Sequence, residues 1–144
     1  MTRSSLVVVD ASVSLKWVLD DEECVQEAVA LRNDALHGQL TMVAPSLWSY
    51  EVSNGLSSAV RRHRLSVELG VAMLTGLLAL NVRMIDPDPE DVYWQAVRCG
   101  IASYDAAYLA LAKALAVPLW TGDRRLYATI GHVDETVHWI GTYL

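Results

Sequence analysis

Short apolar runs alternate along this chain with longer stretches in which apolar side chains recur at helical spacing. Apolar runs without polar alternation are typical of strands that are buried on both faces of a parallel sheet. The pattern predicts strands at residues 6–10, 41–44, 82–85, 118–121 and 137–140. It predicts helices at residues 12–19, 20–38, 46–62, 66–80, 89–99 and 103–116.

Strands that are separated by helices favour a central sheet covered on both faces. We therefore expect an α/β fold, a three-layer α/β/α sandwich with a mostly parallel sheet. With 144 residues and no repeat or linker, residues 1–144 are expected to form a single domain.

Polar residues at the segment boundaries suggest where the helices begin and end. Ser12 and Ser46 are predicted to cap the first and third helices. The acidic residues 20–23 suit the first turn of the second helix, where negative charge meets the positive end of the helix dipole. The basic residues 61–64 fall at the opposite, negative end of the third helix.

Composition narrows the class of protein. The chain is 53% hydrophobic and 19% charged, which is typical of a globular domain, and its net charge of -6 argues against a protein that coats nucleic acid with a broad basic surface. Cys24 and Cys99 provide no disulfide framework. We expect no signal peptide and no membrane span, and a cytoplasmic location.

Four acidic residues occupy positions from which they can reach one edge of the predicted sheet. Asp10 ends the first strand, Glu51 lies early in the third helix, Asp105 opens an apolar helix and Asp123 follows the fourth strand. Ligands of open α/β sheets bind beyond the carboxyl ends of the strands. Four carboxylates that meet there would form a site for a hard divalent cation, and such a site suggests phosphoryl chemistry.

Each acidic position also has an ordinary structural interpretation. Asp10 and Asp105 are suited to helix N-termini, Asp123 to a turn, and Glu51 to the solvated border of an apolar stripe. The joint pattern is therefore more informative than any one residue. The four histidines lack the spacing of a zinc site, and there is no glycine-rich phosphate loop.

Four sequence blocks resemble the signature blocks of PIN-domain ribonucleases, and most closely those of the VapC toxins of toxin–antitoxin pairs. The blocks lie at residues 8–13, 45–54, 103–112 and 118–126. The resemblance implies an endoribonuclease whose acidic quartet, Asp10, Glu51, Asp105 and Asp123, binds Mg²⁺ or Mn²⁺. It also implies that Ser12 and Thr121 place hydroxyl groups near the metal; Asn54 is on the face of the helix that carries Glu51.

Two alternatives remain open from the sequence. One is a PIN-like module that binds without catalysis. The other is a receiver-type signalling domain, which would need a phosphoacceptor such as Asp86 and a lysine at the end of a late strand, where Thr121 stands instead.

Partners are predicted on two grounds. Five arginines are candidates to bind RNA phosphates: Arg61, Arg62, Arg64, Arg124 and Arg125. For the first three, the favoured interpretation is a helix end on a solvated surface. The helix at residues 66–80 is apolar on most sides and needs a cover, which predicts a homodimer. The resemblance implies the same, together with a small VapB-like antitoxin.

Overall fold

The structure is a computed structural model and describes residues 5–144. Residues 1–4 of the predicted single domain lie outside the described residues. A parallel five-stranded sheet lies at the centre, built from β1 (Ser5–Val9), β2 (Leu40–Ala44), β3 (Arg83–Met84), β4 (Leu119–Thr121) and β5 (Val137–Trp139). The order across the sheet is β3-β2-β1-β4-β5, and every pair of neighbours is parallel.

Seven α-helices connect and cover these strands. They are α1 (Ala11–Leu15), α2 (Val25–Leu36), α3 (Leu47–Arg61), α4 (Val67–Ala79), α5 (Pro89–Cys99), α6 (Ser103–Leu115) and α7 (Arg124–Ile130), and a 3-10 helix follows at Ile140–Thr142. The three-layer α/β/α sandwich predicted from the alternating pattern is confirmed. None of the helices within residues 5–144 has the length and apolarity that crossing a bilayer requires.

The connections change direction at the middle of the sheet. From β1 the chain moves outward through β2 to β3, and then returns to β4 on the other side of β1. Loops that leave β1 and β4 therefore diverge, which opens a crevice at the carboxyl ends of these two strands. Such a switch point is where ligands bind in open α/β sheets.

Helix α6 is the most deeply buried helix of the sandwich. All seven residues from 106 to 112 are buried, and four of them are alanines. Small side chains allow this helix to lie close to β1 and β4, which it contacts directly. The first turn of α6, at Asp105, is thereby brought to the edge of the sheet at which β1 and β4 end.

The first predicted helix begins and ends differently from the expectation. Ser12 does not cap it; the N-cap is Asp10, whose side chain accepts a hydrogen bond from the Val13 amide, and α1 ends at Leu15 rather than residue 19. An aspartate directly before a helix competes well with serine for this role. Ser12 lies inside α1 and its hydroxyl is used by the site described below.

The acidic residues 20–23 were expected in the first turn of the second helix, and this was wrong. Helix α2 starts later, at Val25, after Cys24 in a left-handed conformation with φ 59°. Asp21 and Glu22 instead form ion pairs with Arg64, and Glu23 pairs with Arg124. The arginines that form these ion pairs are far away in the sequence, so a local helix signal cannot predict the pairing.

Two further boundaries depend on residues that the local pattern did not identify. Ser46 precedes α3 but its side chain makes no capping bond; its amide and hydroxyl both donate to Asp86, at 2.7 and 3.0 Å. Helix α7 was not predicted at all. Asp123 caps it by accepting from the Leu126 amide at 3.1 Å.

Candidate active site

The four predicted carboxylates are carried by four different elements. Asp10 follows β1 and caps α1, and Asp123 follows β4 after one intervening residue and caps α7. Glu51 lies one turn into α3, and Asp105 lies in the first turn of α6. Two of the four therefore stand directly at the switch point of the sheet.

Electrostatic coupling links the four carboxylates in a closed ring. The charge of Asp123 raises the pKa values of Asp10 and Asp105, and the charges of Asp10 and Asp105 both raise the pKa of Glu51. Each carboxylate thus lies within the field of two others. The structure brings together the quartet that the sequence predicted.

A hydrogen-bonded chain joins the end of β1 to the end of β4. The Ser12 hydroxyl donates to Asp10 Oδ1 at 2.5 Å and accepts from the Gly122 amide at 2.8 Å. The amide of Val13 also donates to Asp10 Oδ1, at 3.1 Å. The Thr121 hydroxyl is a further hydrogen-bonding partner of Asp10, so both predicted hydroxyl residues contact this carboxylate.

Asp10 is the most deeply buried of the four carboxylates of the site. Its exposed fraction is 5%. Burial raises its pKa to about 6, and the negative charge of Asp123 adds to this effect, against the hydrogen bonds of Ser12, Thr121 and Val13 that lower it. A carboxylate with a raised pKa gains the most from a positive charge that binds beside it.

Tyr108 is a site residue that the sequence analysis missed. Its hydroxyl donates to Glu51 Oε1 at 2.5 Å, and its ring is buried. Burial raises the pKa of Glu51, and the neighbouring carboxylates raise it further, while the bond from Tyr108 lowers it. The sequence spacing could have identified Tyr108: it lies three residues after Asp105, which puts both side chains on one face of α6.

Asp105 differs from the other three acidic residues. It is partly buried, and burial and the charge of Asp123 raise its pKa. Its carboxylate makes no hydrogen bond to any of residues 5–144. Its oxygens are therefore unpartnered within the described chain and lie in the field of Asp123.

The donor set fits a hard divalent cation. Carboxylate and hydroxyl oxygens are the ligands that Mg²⁺ and Mn²⁺ prefer, and the raised pKa values mark a place where positive charge is missing. Within residues 5–144, no three acidic, histidine or cysteine side chains converge into a finished metal cage. A wider spacing is expected of like charges without a counterion, because two charges ~4 Å apart repel by roughly 4 kcal/mol at an effective dielectric constant of 20.

The predicted outer residues are less closely connected to the quartet. The exposed Asn54 makes no side-chain hydrogen bond within the described chain. Arg124 pairs with Glu23 at 2.7 Å and stacks over the Trp139 ring at 5.1 Å.

The remaining arginines lie on the exposed surface. Arg64 binds Asp21 through two nitrogens, at 2.9 and 2.7 Å, and Arg61 donates to the Ser57 hydroxyl. Arg62 and Arg125 are exposed. Contact of these arginines with RNA stays a prediction.

Comparison with known proteins agrees with this geometry. The family model of the PIN domain matches residues 7–131. Ribonuclease VapC12 of Mycobacterium tuberculosis is 32% identical over 130 residues, which cover 90% of this chain and 96% of that protein. Ribonuclease VapC1 of the same organism is 37% identical over 125 residues, which cover 76% of this chain and 92% of that protein.

Two solved structures share the fold. PAE2754 from Pyrobaculum aerophilum superposes with a TM-score of 0.72 at 24% identity and covers 96% of this chain and 93% of its own. Mycobacterium tuberculosis VapC20, a toxin that cleaves the sarcin–ricin loop, superposes with a TM-score of 0.61 at 16% identity, covering 85% and 93%. The matched domain and the identity to full-length relatives lead to one conclusion: the chain belongs to the PIN-domain family and, within it, to the VapC ribonucleases.

Proposed function

We propose that this protein is the toxin of a toxin–antitoxin pair, and that it hydrolyses RNA phosphodiester bonds with the help of Mg²⁺ or Mn²⁺ held by Asp10, Glu51, Asp105 and Asp123. The observation that carries the proposal is the closed ring of four coupled carboxylates at the switch point of the sheet. The family supports the ribonuclease activity, and the donor set supports the cation.

Each residue of the site has a separate role in this proposal. Asp10 and Asp123 are held in place because each caps a helix with one carboxylate oxygen. Tyr108 holds Glu51, and its hydrogen bond favours the ionised form against burial, which raises the pKa of that carboxylate. When bound, a divalent cation stabilises negative charge on an attacked phosphodiester and favours ionisation of a nucleophilic water at neutral pH.

The same cation solves an electrostatic problem of substrate binding. A cluster of four carboxylates repels the phosphates of RNA, so the cluster has to be neutralised before a phosphodiester approaches. The chemistry needs no catalytic histidine or cysteine, and no histidine is among the groups coupled to the quartet.

Neither alternative from the sequence is favoured by the site. A receiver domain would require Asp86 and a lysine beside the acidic edge, whereas Asp86 binds Ser46 and Lys113 pairs with Asp134. A silent binding module would have no need to bury Asp10 beside three other carboxylates at a cost in stability.

The direct test is cleavage of total RNA by the purified protein, with Mg²⁺, with Mn²⁺, and with excess chelator. We expect cleavage that the chelator abolishes, and 5′-phosphate and 3′-hydroxyl ends. Equal cleavage in chelator would contradict the metal mechanism. Sequencing of RNA ends in cells after induction would identify the substrate RNA.

The homodimer belongs to the same proposal. Three valines and leucines of α4 are more than half exposed, Val67, Val71 and Leu78, and α3 and α4 border an apolar groove of about 350 Å³. Exposed apolar surface of this kind marks an interface. We infer that α4 pairs with a second copy, and that a small VapB-like antitoxin binds the toxin.

Light scattering at micromolar concentration tests the dimer. Val71→Lys should yield a monomer, because a charge would be buried at the interface, whereas Val97→Lys on the exposed face of α5 should leave the dimer intact. A monomeric wild type would defeat the dimer. The antitoxin is tested separately, by co-purification with the product of the neighbouring gene and inhibition of cleavage.

A further inference from the structure

A lysine with a buried stem lies near the acidic site and has no side-chain partner among residues 5–144. Lys16 follows α1 as its C-cap, and its exposed fraction is 3%. Within residues 5–144 its ammonium makes no hydrogen bond and no ion pair. Glu23 is close enough to be influenced by its charge, but the Glu23 carboxylate binds Arg124 instead.

The path of this side chain explains a glycine of the site. A Cβ atom at Gly122 would lie 2.3 Å from Lys16 Cε and 3.3 Å from Lys16 Nζ. Gly122 does not have a positive φ, so its backbone does not require glycine. A larger residue at this position would have to displace the end of the Lys16 side chain, which crosses the place that its Cβ atom would fill.

This crossing brings the ammonium to the acidic site. Gly122 lies between Thr121 and Asp123, and its amide donates to the Ser12 hydroxyl, which donates to Asp10. Long side chains on a helix lean toward the helix N-terminus, which for α1 is the end at Asp10. Lys16 therefore presents its positive charge at the turn that carries Asp123.

The charge balance indicates what Lys16 binds. The stem of Lys16 is buried, but its ammonium is not among the fully enclosed, unpartnered side-chain atoms of residues 5–144, so it keeps contact with solvent and can meet an anion that enters the site. The other cations near an anion are matched within the protein: Arg64, Arg98, Lys113 and Arg124 all form ion pairs. An RNA backbone that enters the site brings anions with it, and a lysine is suited to bind phosphate as a point charge.

We propose that Lys16 is an RNA-binding residue, which holds the phosphate adjacent to the scissile one on the Asp123 side of the site. The proposal rests on the proposed ribonuclease function and adds a residue to it. It also assigns Gly122 the task of leaving room for the lysine.

The test is steady-state cleavage of an oligonucleotide that contains the mapped cleavage position. Lys16→Met keeps the length of the side chain and removes its charge. We expect KM to rise about 10- to 100-fold, with a smaller change in kcat, because a charged hydrogen bond to substrate is lost. The plot of log KM against log salt should become shallower by about 0.7, the slope of one phosphate contact on single-stranded nucleic acid.

Two further readouts separate binding from a structural role. Thermal melting of RNA-free Lys16→Met should give a Tm equal to or above that of the wild type, because the Lys16 ammonium makes no hydrogen bond or ion pair within residues 5–144 that the substitution could remove. Arg83→Met, which removes an exposed positive charge from β3, should leave KM and its salt slope unchanged.

Gly122→Ala provides an independent approach to the same ammonium. Its methyl group should displace the Lys16 side chain and raise KM, and the double variant should be no worse than Lys16→Met alone. The proposal would be overturned if Lys16→Met had the KM and the salt slope of the wild type, or if it had a lowered Tm and an unchanged salt slope. Neither result would contradict the proposed ribonuclease function. If the wild type cleaves no RNA under any metal condition, the proposed function fails and this inference fails with it.

Discussion

Asp10 and Asp134 are equally buried aspartates with opposite electrostatic surroundings. Their exposed fractions are 5% and 7%. Burial by itself would raise the pKa of both. For Asp134, hydrogen bonds from Thr136, Lys113 and Arg98 outweigh burial and hold the pKa well below its usual range, whereas the pKa of Asp10 rises to about 6.

The difference separates a structural cluster from a functional one. Arg98 and Lys113 reach Asp134 Oδ2 at 2.7 and 3.0 Å, and the charges are balanced inside the protein. At the acidic site the carboxylates raise one another's pKa values, and the ammonium of the neighbouring Lys16 makes no ion pair within residues 5–144. Unbalanced charge is a cost to the folded state that a cation and an RNA phosphate can remove.

The largest expected contrast is between two asparagine substitutions. Asp105→Asn should lower kcat/KM by on the order of 10³-fold, because several kcal/mol of transition-state stabilisation depend on the cation. The metal-free variant should melt at or above the wild-type temperature, because one repelling charge is gone. Asp134→Asn should retain cleavage but lose about 1–3 kcal/mol of stability, since Arg98 and Lys113 lose their carboxylate.

Thermal melts with and without Mg²⁺, together with cleavage rates of both variants, measure this contrast. Mg²⁺ should raise the Tm of the wild type and of Asp134→Asn, and should do so much less for Asp105→Asn. Strong destabilisation of metal-free Asp105→Asn would contradict the role of Asp105 as a ligand.

The second expected contrast is in the pH dependence of stability without metal. The folded pKa of Asp10, about 6, lies above the value of 3.8 for an unperturbed aspartate, so the folded state binds more protons between these values. Stability from this group is therefore fully present below about pH 4 and is lost as pH rises through 6. We expect a gain of about 1 kcal/mol between pH 7 and pH 5 from this group.

Urea denaturation in the presence of chelator at several pH values measures how stability changes with pH. Asp10→Asn should remove the part of this change that comes from Asp10. Asp134 has the opposite sign, because its pKa is lowered: its contribution is present above about pH 4 and is lost at more acidic pH. The prediction would be contradicted if the stability of the wild type rose between pH 5 and pH 7 and if Asp10→Asn had the same pH dependence. That result would show that other groups in the protein already balance the charge of Asp10.

The smallest expected effect concerns the hydrogen bond of Tyr108 to Glu51. Tyr108→Phe removes a bond worth about 1 kcal/mol and lets the pKa of Glu51 rise further. The Mg²⁺ concentration for half-maximal cleavage should increase several-fold. Tyr104→Phe, at an exposed position of the same helix, should change nothing; equal titration curves for all three proteins would exclude a role for Tyr108.

Sequence patterns predicted the elements whose signals are local and strong. The five strands have the predicted places to within two residues at each end, and the uncharged segment 106–112 forms the buried helix that its composition required. The meeting of the acidic residues at one edge followed from the general geometry of parallel sheets.

Long-range partnerships were not predictable in the same way. The segment at residues 20–23 has an ordinary helix-start composition, and only the folded chain brings Arg64 and Arg124 beside it. Tyr108 and Lys16 lie in segments where most positions simply form the core, so their polar ends gave no periodic signal. Helix α7 was missed because two arginines begin it, where negative charge is the usual signal.

In the proposed cation site, the capping bonds of Asp10 and Asp123 determine which side chain has to be ordered when a cation binds. Both side chains are fixed in one rotamer by a helix amide, and Glu51 is held by Tyr108. The conformational entropy of these three has been lost during folding, so it does not oppose cation binding. Asp105 alone keeps its rotational freedom, and the entropic cost of assembling the site falls on that one side chain.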